Sequence, residues 1–467
     1  MPVVILLADG VRPDTLSSAM DSGVAPALAR LRDEGGVYTV TTCFPSVTGP
    51  AYAPFLMGRF PGPVGLPGLR WFDRSRQACS FPDYTRSYVG YQIGAIDRDI
   101  AADAPTLFEL APSHLGALNL IGRGMVAERR IGRLTLRAGL RAAWTHFRGN
   151  VRGWIQIDRE IADQTVERIR DDRPEFTFAA LVGSDKASHA VGHESTNVLD
   201  ALRIVDDAAA RIRHDAERLG YWRDMSLWVA SDHGHSRVRG HEDLAGFIAA
   251  RGLRVVTHPW VLVRSPDVAV MVSGNAMAHV YVELGRRTRA SWSELAPAWG
   301  GLADALIALP SVDLLIVWDG DVALVRSRMR GTARVALRNG AYEYRRDSGD
   351  PLGIGSDLSG VSSAEALDAT WNTDYPDAVV QIAHLAGAER AGDIILSAAR
   401  DWDFRARYEP IPHVSSHGAL HREHMLVPLL LNRRPSRIPR RTVDVMPSVL
   451  HLLGEDVPRG LDGVSFF

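Results

Sequence analysis

The chain has 467 residues, 46% hydrophobic and 23% charged, with a formal net charge of -2. That supports one large α/β core with insertions and excludes a disordered chain, and without an overall positive charge no nucleic-acid duplex is expected as a partner. Two cysteines exclude a disulfide framework, and no apolar run approaches the roughly 20 residues that a membrane-spanning helix needs.

Met1 leads into "PVVILLADG" without a basic leader region, so a cytoplasmic location is expected. "PVVILLA" reads as a strand buried on both faces, and it ends at Asp9. "TTCFPSVTGPAYAPFLMG" follows and offers three nucleophile candidates, Cys43, Ser46 and Thr48; Thr48 also suits the N-cap of a helix. "GLPGLRWFDR" carries Arg70. Residues from about 107 to 154 read as an arginine-rich helical insertion. Its cations include Arg123, Arg129, Arg130, Arg133, Arg137 and Arg141, and Ile131, Leu140 and Trp144 supply an apolar side. Such a segment is usually a helix face in solvent, and its sharper use is peripheral contact with anionic lipid.

"FTFAALVG" is a second buried strand, leading to Asp185, Lys186 and His189 in "GSDKASHAVGH". The four-residue spacing puts Asp185 and His189 on one side of a helical turn. "MSLWVA" is a third, leading to Asp232 and His233 in "SDHGHS". Residues 269–346 mix strand-like pieces and are expected to form a smaller α+β cap, leaving 1–268 and 347–467 as the core. "SSHGALHREHMLVPLLL" then brings His417 to the head of another strand.

Three buried runs ending in aspartates predict a mainly parallel sheet flanked by helices, with the ligand site outside the carboxyl ends of its strands. Any one of these histidines alone reads as structural. As a set, Asp9, Asp185, His189, Asp232, His233 and His417 suffice for two adjacent metal sites of three protein ligands each.

"LLADGVRPD", the Thr48 segment, "DKASH", "SDHG", "SSHG" and the ending "RTVDVMPSVLHLLGEDVPRGLDGVSFF" together resemble the alkaline phosphatase superfamily, and within it the type I phosphodiesterase/nucleotide pyrophosphatase branch. The resemblance implies an alkaline phosphatase-like core. It assigns Asp185, His189 and His417 to one divalent ion, and Asp9, Asp232, His233 and the nucleophile Thr48 to the other. Three imidazoles favour zinc, with manganese the alternative. The implied reaction is phosphodiester hydrolysis through a covalent phosphothreonine, on a phosphate-ester small molecule or lipid head group. Lys186 reads as a phosphate contact or a solvated cation, and Arg70 as a phosphate contact or a surface residue covering Trp71 or Phe72. Phosphomonoester or phosphonate hydrolysis, phosphoryl transfer to an alcohol, and a non-catalytic metal-binding scaffold stay open. Two departures matter. "CFP" resembles the start of a sulfatase maturation signal but has Val47 at its arginine position. Where related nucleotide phosphodiesterases carry Gly-Asn, this chain has Leu69 followed by Arg70.

Overall fold

Val3–Ala8 (β1) is six apolar residues, all buried, as a strand covered on both sides requires. The computed structural model describes residues 1–75, 84–90, 92–132, 135–404, 411 and 413–467; Cys79 and Arg133 lie outside them. The other strands of this sheet are Val37–Thr41 (β2), His114–Ala117 (β3), Arg130–Ile131 (β4), Phe176–Leu181 (β5), Ser226–Ala230 (β6) and Leu426–Leu431 (β7), in the order β2-β7-β6-β1-β5-β3-β4. β1 lies between β5 and β6 and is parallel to both. β7 runs antiparallel to β6 and β2, so the sheet is mainly parallel.

Side-chain alternation splits β1 between two cores. Val3, Ile5 and Leu7 pack with Phe178, Trp228 and Leu429 on one face. Val4, Leu6 and Ala8 pack with Leu181, Val229 and Leu430 on the other. The helices that matter for the site and its surroundings are Tyr52–Met57 (α1), Leu136–Phe147 (α2), Val151–Asp172 (α3), Gly183–Val191 (α4) and Thr196–Arg218 (α5). None among the described residues is long and apolar enough to cross a membrane.

Two expectations need correction. Residues 107–154 are not wholly helical, because they contribute β3 and β4 to the sheet edge. These strands have four and two residues, too few to show a period in sequence. Nor does 269–346 form a sheet of its own. A nine-stranded, mostly antiparallel sheet begins at Val255–Thr257, ends at Leu358–Val361 and takes in Ile394–Ala398 between Met277–Tyr281 and Val312–Asp319. Ile394–Ala398 is wholly buried and joins its neighbours by cross-strand bonds, so contacts distant in sequence decide its sheet.

Candidate metal centre

Because β1, β5 and β6 are parallel, their carboxyl ends share one edge, and the chain delivers Asp9, Asp185 and Asp232 there. Backbone bonds fix the arrangement: Asp9 N–H donates to Leu181 O at 3.0 Å, Gly10 N–H to Asp232 Oδ1 at 3.3 Å, and the Ser184 hydroxyl to Asp9 O at 2.6 Å. All three carboxylates are at most 1% exposed.

Glycines make the close approach feasible. Gly10 has φ +71, and a Cβ there would lie 2.8 Å from His235 Cδ2. A Cβ on Gly234 would lie 2.1 Å from Glu423 O. The "DG" and "DHG" motifs therefore reflect crowding around the cluster as well as its ligands.

The structure gathers the six sequence-predicted ligands. His189 Nε2 and His417 Nε2 lie 3.3 and 3.6 Å from Asp185 Oδ1, and His233 Nε2 lies 3.3 Å from Asp9 Oδ1 and 3.6 Å from Asp232 Oδ2. The Nδ1 atoms of His189, His233 and His417 sit 2.9, 3.2 and 2.9 Å from the carbonyl oxygens of Ser415, Gly234 and Ser46. A carbonyl only accepts, so Nδ1 carries a proton in this network, and each ring, when its Nε2 is deprotonated, offers that lone pair to the centre.

The electrostatics fit cations. Burial raises the Asp232 carboxyl, the neighbouring Asp9 raises it further, and its pKa stands well above the usual carboxylate range. Its Oδ2 is buried without a hydrogen-bond partner. An orphaned carboxylate oxygen beside a second buried carboxylate is an arrangement that a bound cation would relieve. Burial would raise Asp185 as well, but Lys186 and His189 outweigh it and hold that carboxyl well below its ordinary value. Burial works against the charged form of His233, yet Asp232 and Asp9 prevail and raise its pKa to about 9.

Within the Thr48 segment the three candidates separate. Cys43 is buried, its Sγ 3.7 Å from Pro45 O, and burial pushes its thiol pKa up. The Ser46 hydroxyl donates to Ala419 O at 3.0 Å. Thr48 Oγ1 lies 3.0 Å from His233 Nε2 and 3.3 and 3.4 Å from the Asp9 oxygens. Thr48 is not an N-cap, since α1 starts at Tyr52 with Ala51 before it and no side-chain cap. The expected N-cap at Thr48 is thus three residues too early. Pro50 and Pro54 constrain this stretch to a turn and a short helix.

The two expected phosphate contacts fall differently. Lys186 Nζ pairs with Asp185 Oδ2 at 2.8 Å while its side chain stays 32% exposed. Arg70 Nη1 lies 3.5 Å from Val272 O, and its backbone N–H donates to Ser273 Oγ at 3.3 Å. The next residue of that strand turn, Gly274, closes on His417, where a Cβ would lie 3.0 Å from Nδ1.

Sequence reasoning left His235 out of the ligand set. It is fully buried, with Nε2 2.9 Å from Asp185 Oδ1 and Nδ1 3.1 Å from the Ser415 hydroxyl. Among the described residues, Asp185, His233, His235 and His417 form one group whose ligand atoms lie within 4.8 Å of one another, and Asp9, Asp232 and His233 form a second; His189 is in neither. The available signal was the His-Gly-His alternation. Because His235 fixes Asp185, His235→Ala is expected to weaken metal retention about 10–100-fold. Competition against a chromophoric chelator measures it, and retention equal to the parent's would contradict that role.

The profile of the type I phosphodiesterase / nucleotide pyrophosphatase family matches residues 3–420. No curated protein is similar enough in sequence to be matched. Among solved structures, phosphonoacetate hydrolase from Sinorhizobium meliloti in complex with phosphonoformate is similar at 15% identity and TM-score 0.56, covering 97% of this chain and 95% of that one. Murine ectonucleotide pyrophosphatase / phosphodiesterase 5 is similar at 14% identity and TM-score 0.56, covering 99% and 97%. An inactive threonine-to-alanine variant of that murine protein, in complex with AMP, matches equally well. At these identities the structural likeness speaks for the fold: an alkaline phosphatase-like α/β core.

Proposed function

The chain belongs to the type I phosphodiesterase / nucleotide pyrophosphatase family, and from that premise we propose that it is a metal-dependent phosphoric ester hydrolase, favouring diesters and working through covalent Thr48. The observation that carries this reading is the Thr48 hydroxyl among Asp9 and His233 at 3.0–3.4 Å. The AMP complex of the inactive threonine variant of the murine relative supports it. Asp185, His189 and His417 would hold one divalent ion, and Asp9, Asp232, His233 and Thr48 the other; zinc suits the imidazoles, with manganese the alternative, and the pair would neutralise phosphate charge and acidify the hydroxyl.

Thr48 Oγ attacks phosphorus in line. The Oγ–P bond forms as the bond to the leaving oxygen breaks; with Asp9 and His233 Nε2 committed as ligands, the hydroxyl proton passes to solvent water and the departing oxygen takes one from water. Water then attacks phosphorus, the Oγ–P bond breaks, and Thr48 regains a proton as the phosphomonoester departs. Lys186 keeps Asp185 ionised for its ligand role. Arg70 is assigned to a non-bridging phosphate oxygen, where its fork suits the extra charge of a monoester.

The test is kcat/KM of metal-loaded protein on an aryl methyl phosphodiester, the matching aryl phosphate, a nucleotide diester and a phosphonate. The diesters are expected to lead, and a lead by the monoester or the phosphonate would overturn the diester reading. Arg70→Ala is expected to cost about 10–100-fold on the monoester and less on the diester, the scale of lost charge-assisted hydrogen bonds. Unchanged rates on both would remove Arg70 from the site.

A further inference from the structure

Helix α2 packs in the reverse sense of a helix seated on a core. Leu140, Trp144 and Phe147 recur at i, i+4 and i+7 and so share one face, and they are 63%, 63% and 64% exposed. Turned inward instead are Thr145, which is buried, and Ala142 and His146, which are half-buried. The apolar stripe thus stands in solvent.

The charges along the stretch of chain that carries it are of one sign. From Arg129 to Gln156 the sequence holds seven arginines and no acidic residue. Arg137, Arg141 and Arg148 flank the stripe on helical spacing. The Arg148 guanidinium lies over the Trp144 ring at 4.1 Å, and Arg141 pairs with the half-exposed Glu160 of α3. The chain as a whole is nearly neutral at -2, so this patch is a local feature.

The helix also stands near the metal centre. Trp154, in the first turn of α3 just after α2, has its ring 5.9 Å from Lys186 Nζ, which pairs with Asp185. From the inner side of α2, His146 feels burial first, then Lys186 and His189, which pull its pKa down to about 4.

We propose that the outer face of α2 seats the protein on an anionic lipid surface. Leu140, Trp144 and Phe147 enter the boundary between head groups and acyl chains, and the flanking arginines take the lipid phosphates. An apolar stripe with an indole, bordered by guanidinium forks, matches that boundary. A second copy of the chain is the poorer occupant. Pairing this face with itself across a two-fold axis sets arginine against arginine, and like-charge juxtaposition is costly. The proposal stands apart from the hydrolytic reading, since it concerns adsorption alone.

The test is co-sedimentation of the full chain with phosphatidylcholine vesicles, with and without phosphatidylglycerol. Binding is expected on the anionic vesicles, weak on the neutral ones and reduced by salt. Leu140→Ser/Trp144→Ser/Phe147→Ser and, separately, Arg137→Glu/Arg141→Glu/Arg148→Glu should each lower it by about tenfold or more. Thermal melting checks that both variants fold, and the exposure of all six positions is why they should. Absence of anionic-vesicle binding by the parent, equal binding to neutral vesicles, or parent-like binding by both folded variants would overturn the proposal. A parent dimer in light scattering that the serine variant abolishes would also overturn it, assigning the face to a second copy.

Discussion

Thr48→Ala is expected to lower kcat on an aryl methyl phosphodiester by about a thousandfold or more, as loss of a covalent nucleophile does, while the protein stays folded. The Thr48 side chain gives its hydroxyl to Asp9 and His233 and caps no helix, so its removal costs the fold little. Asp9, Asp232 and His233 remain, so metal content should stay near the parent's. Thr48→Ser should recover part of the rate, because a hydroxyl returns to the same place. Cys43→Ala is the control: it removes a buried sulfur from a packed cluster, with a stability cost of about 1 kcal/mol and parent-like turnover. Acid-quenched reactions of the parent should carry a methyl phosphate on Thr48, visible by peptide mass spectrometry. Parent-like turnover of Thr48→Ala, with Cys43→Ala inactive, would transfer the nucleophile to Cys43.

Much of this site was legible in sequence because its ligands sit where uninterrupted apolar runs stop. β1, β5 and β6 are fully buried strands, and each ends near an aspartate whose neighbours are histidine, lysine or glycine. His235 was less legible. Whether the second imidazole of "HGH" turns inward depends on the close approach of Gly234 to Glu423 O and on the Ser415 hydroxyl 3.1 Å from Nδ1, contacts from far along the chain. The nine-stranded sheet was hidden for a related reason. Ile394–Ala398 reads as another buried strand, and only its pairing with Met277–Tyr281 and Val312–Asp319 places it outside the parallel sheet. Thr48 shows the opposite case, in which a local rule pointed to a helix cap while tertiary contacts took the hydroxyl elsewhere.

Loading the metal-free protein with zinc should bring two ions per chain, measured by elemental analysis, and raise its melting temperature. The expected gain follows from linkage: ligand at a thousand times its Kd stabilises the native state by about 4 kcal/mol per site. The source of that gain is visible in the cluster itself. Asp232 Oδ2 is buried with no partner, and burial together with Asp9 raises its carboxyl, so cation binding removes a penalty already present in the fold. Strong chelator should abolish hydrolysis and return the melt to its metal-free position. Asp232→Asn separates stability from function. An amide of the same shape carries no charge, so the metal-free variant should melt at or above the metal-free parent. The same variant should lose the ion shared by Asp9, Asp232 and His233, with turnover falling by about a hundredfold or more. One stoichiometric ion in the parent, or turnover that survives strong chelator, would refute the two-ion centre. Two ions retained by active Asp232→Asn would show instead that Asp232 shapes the strand end without holding metal.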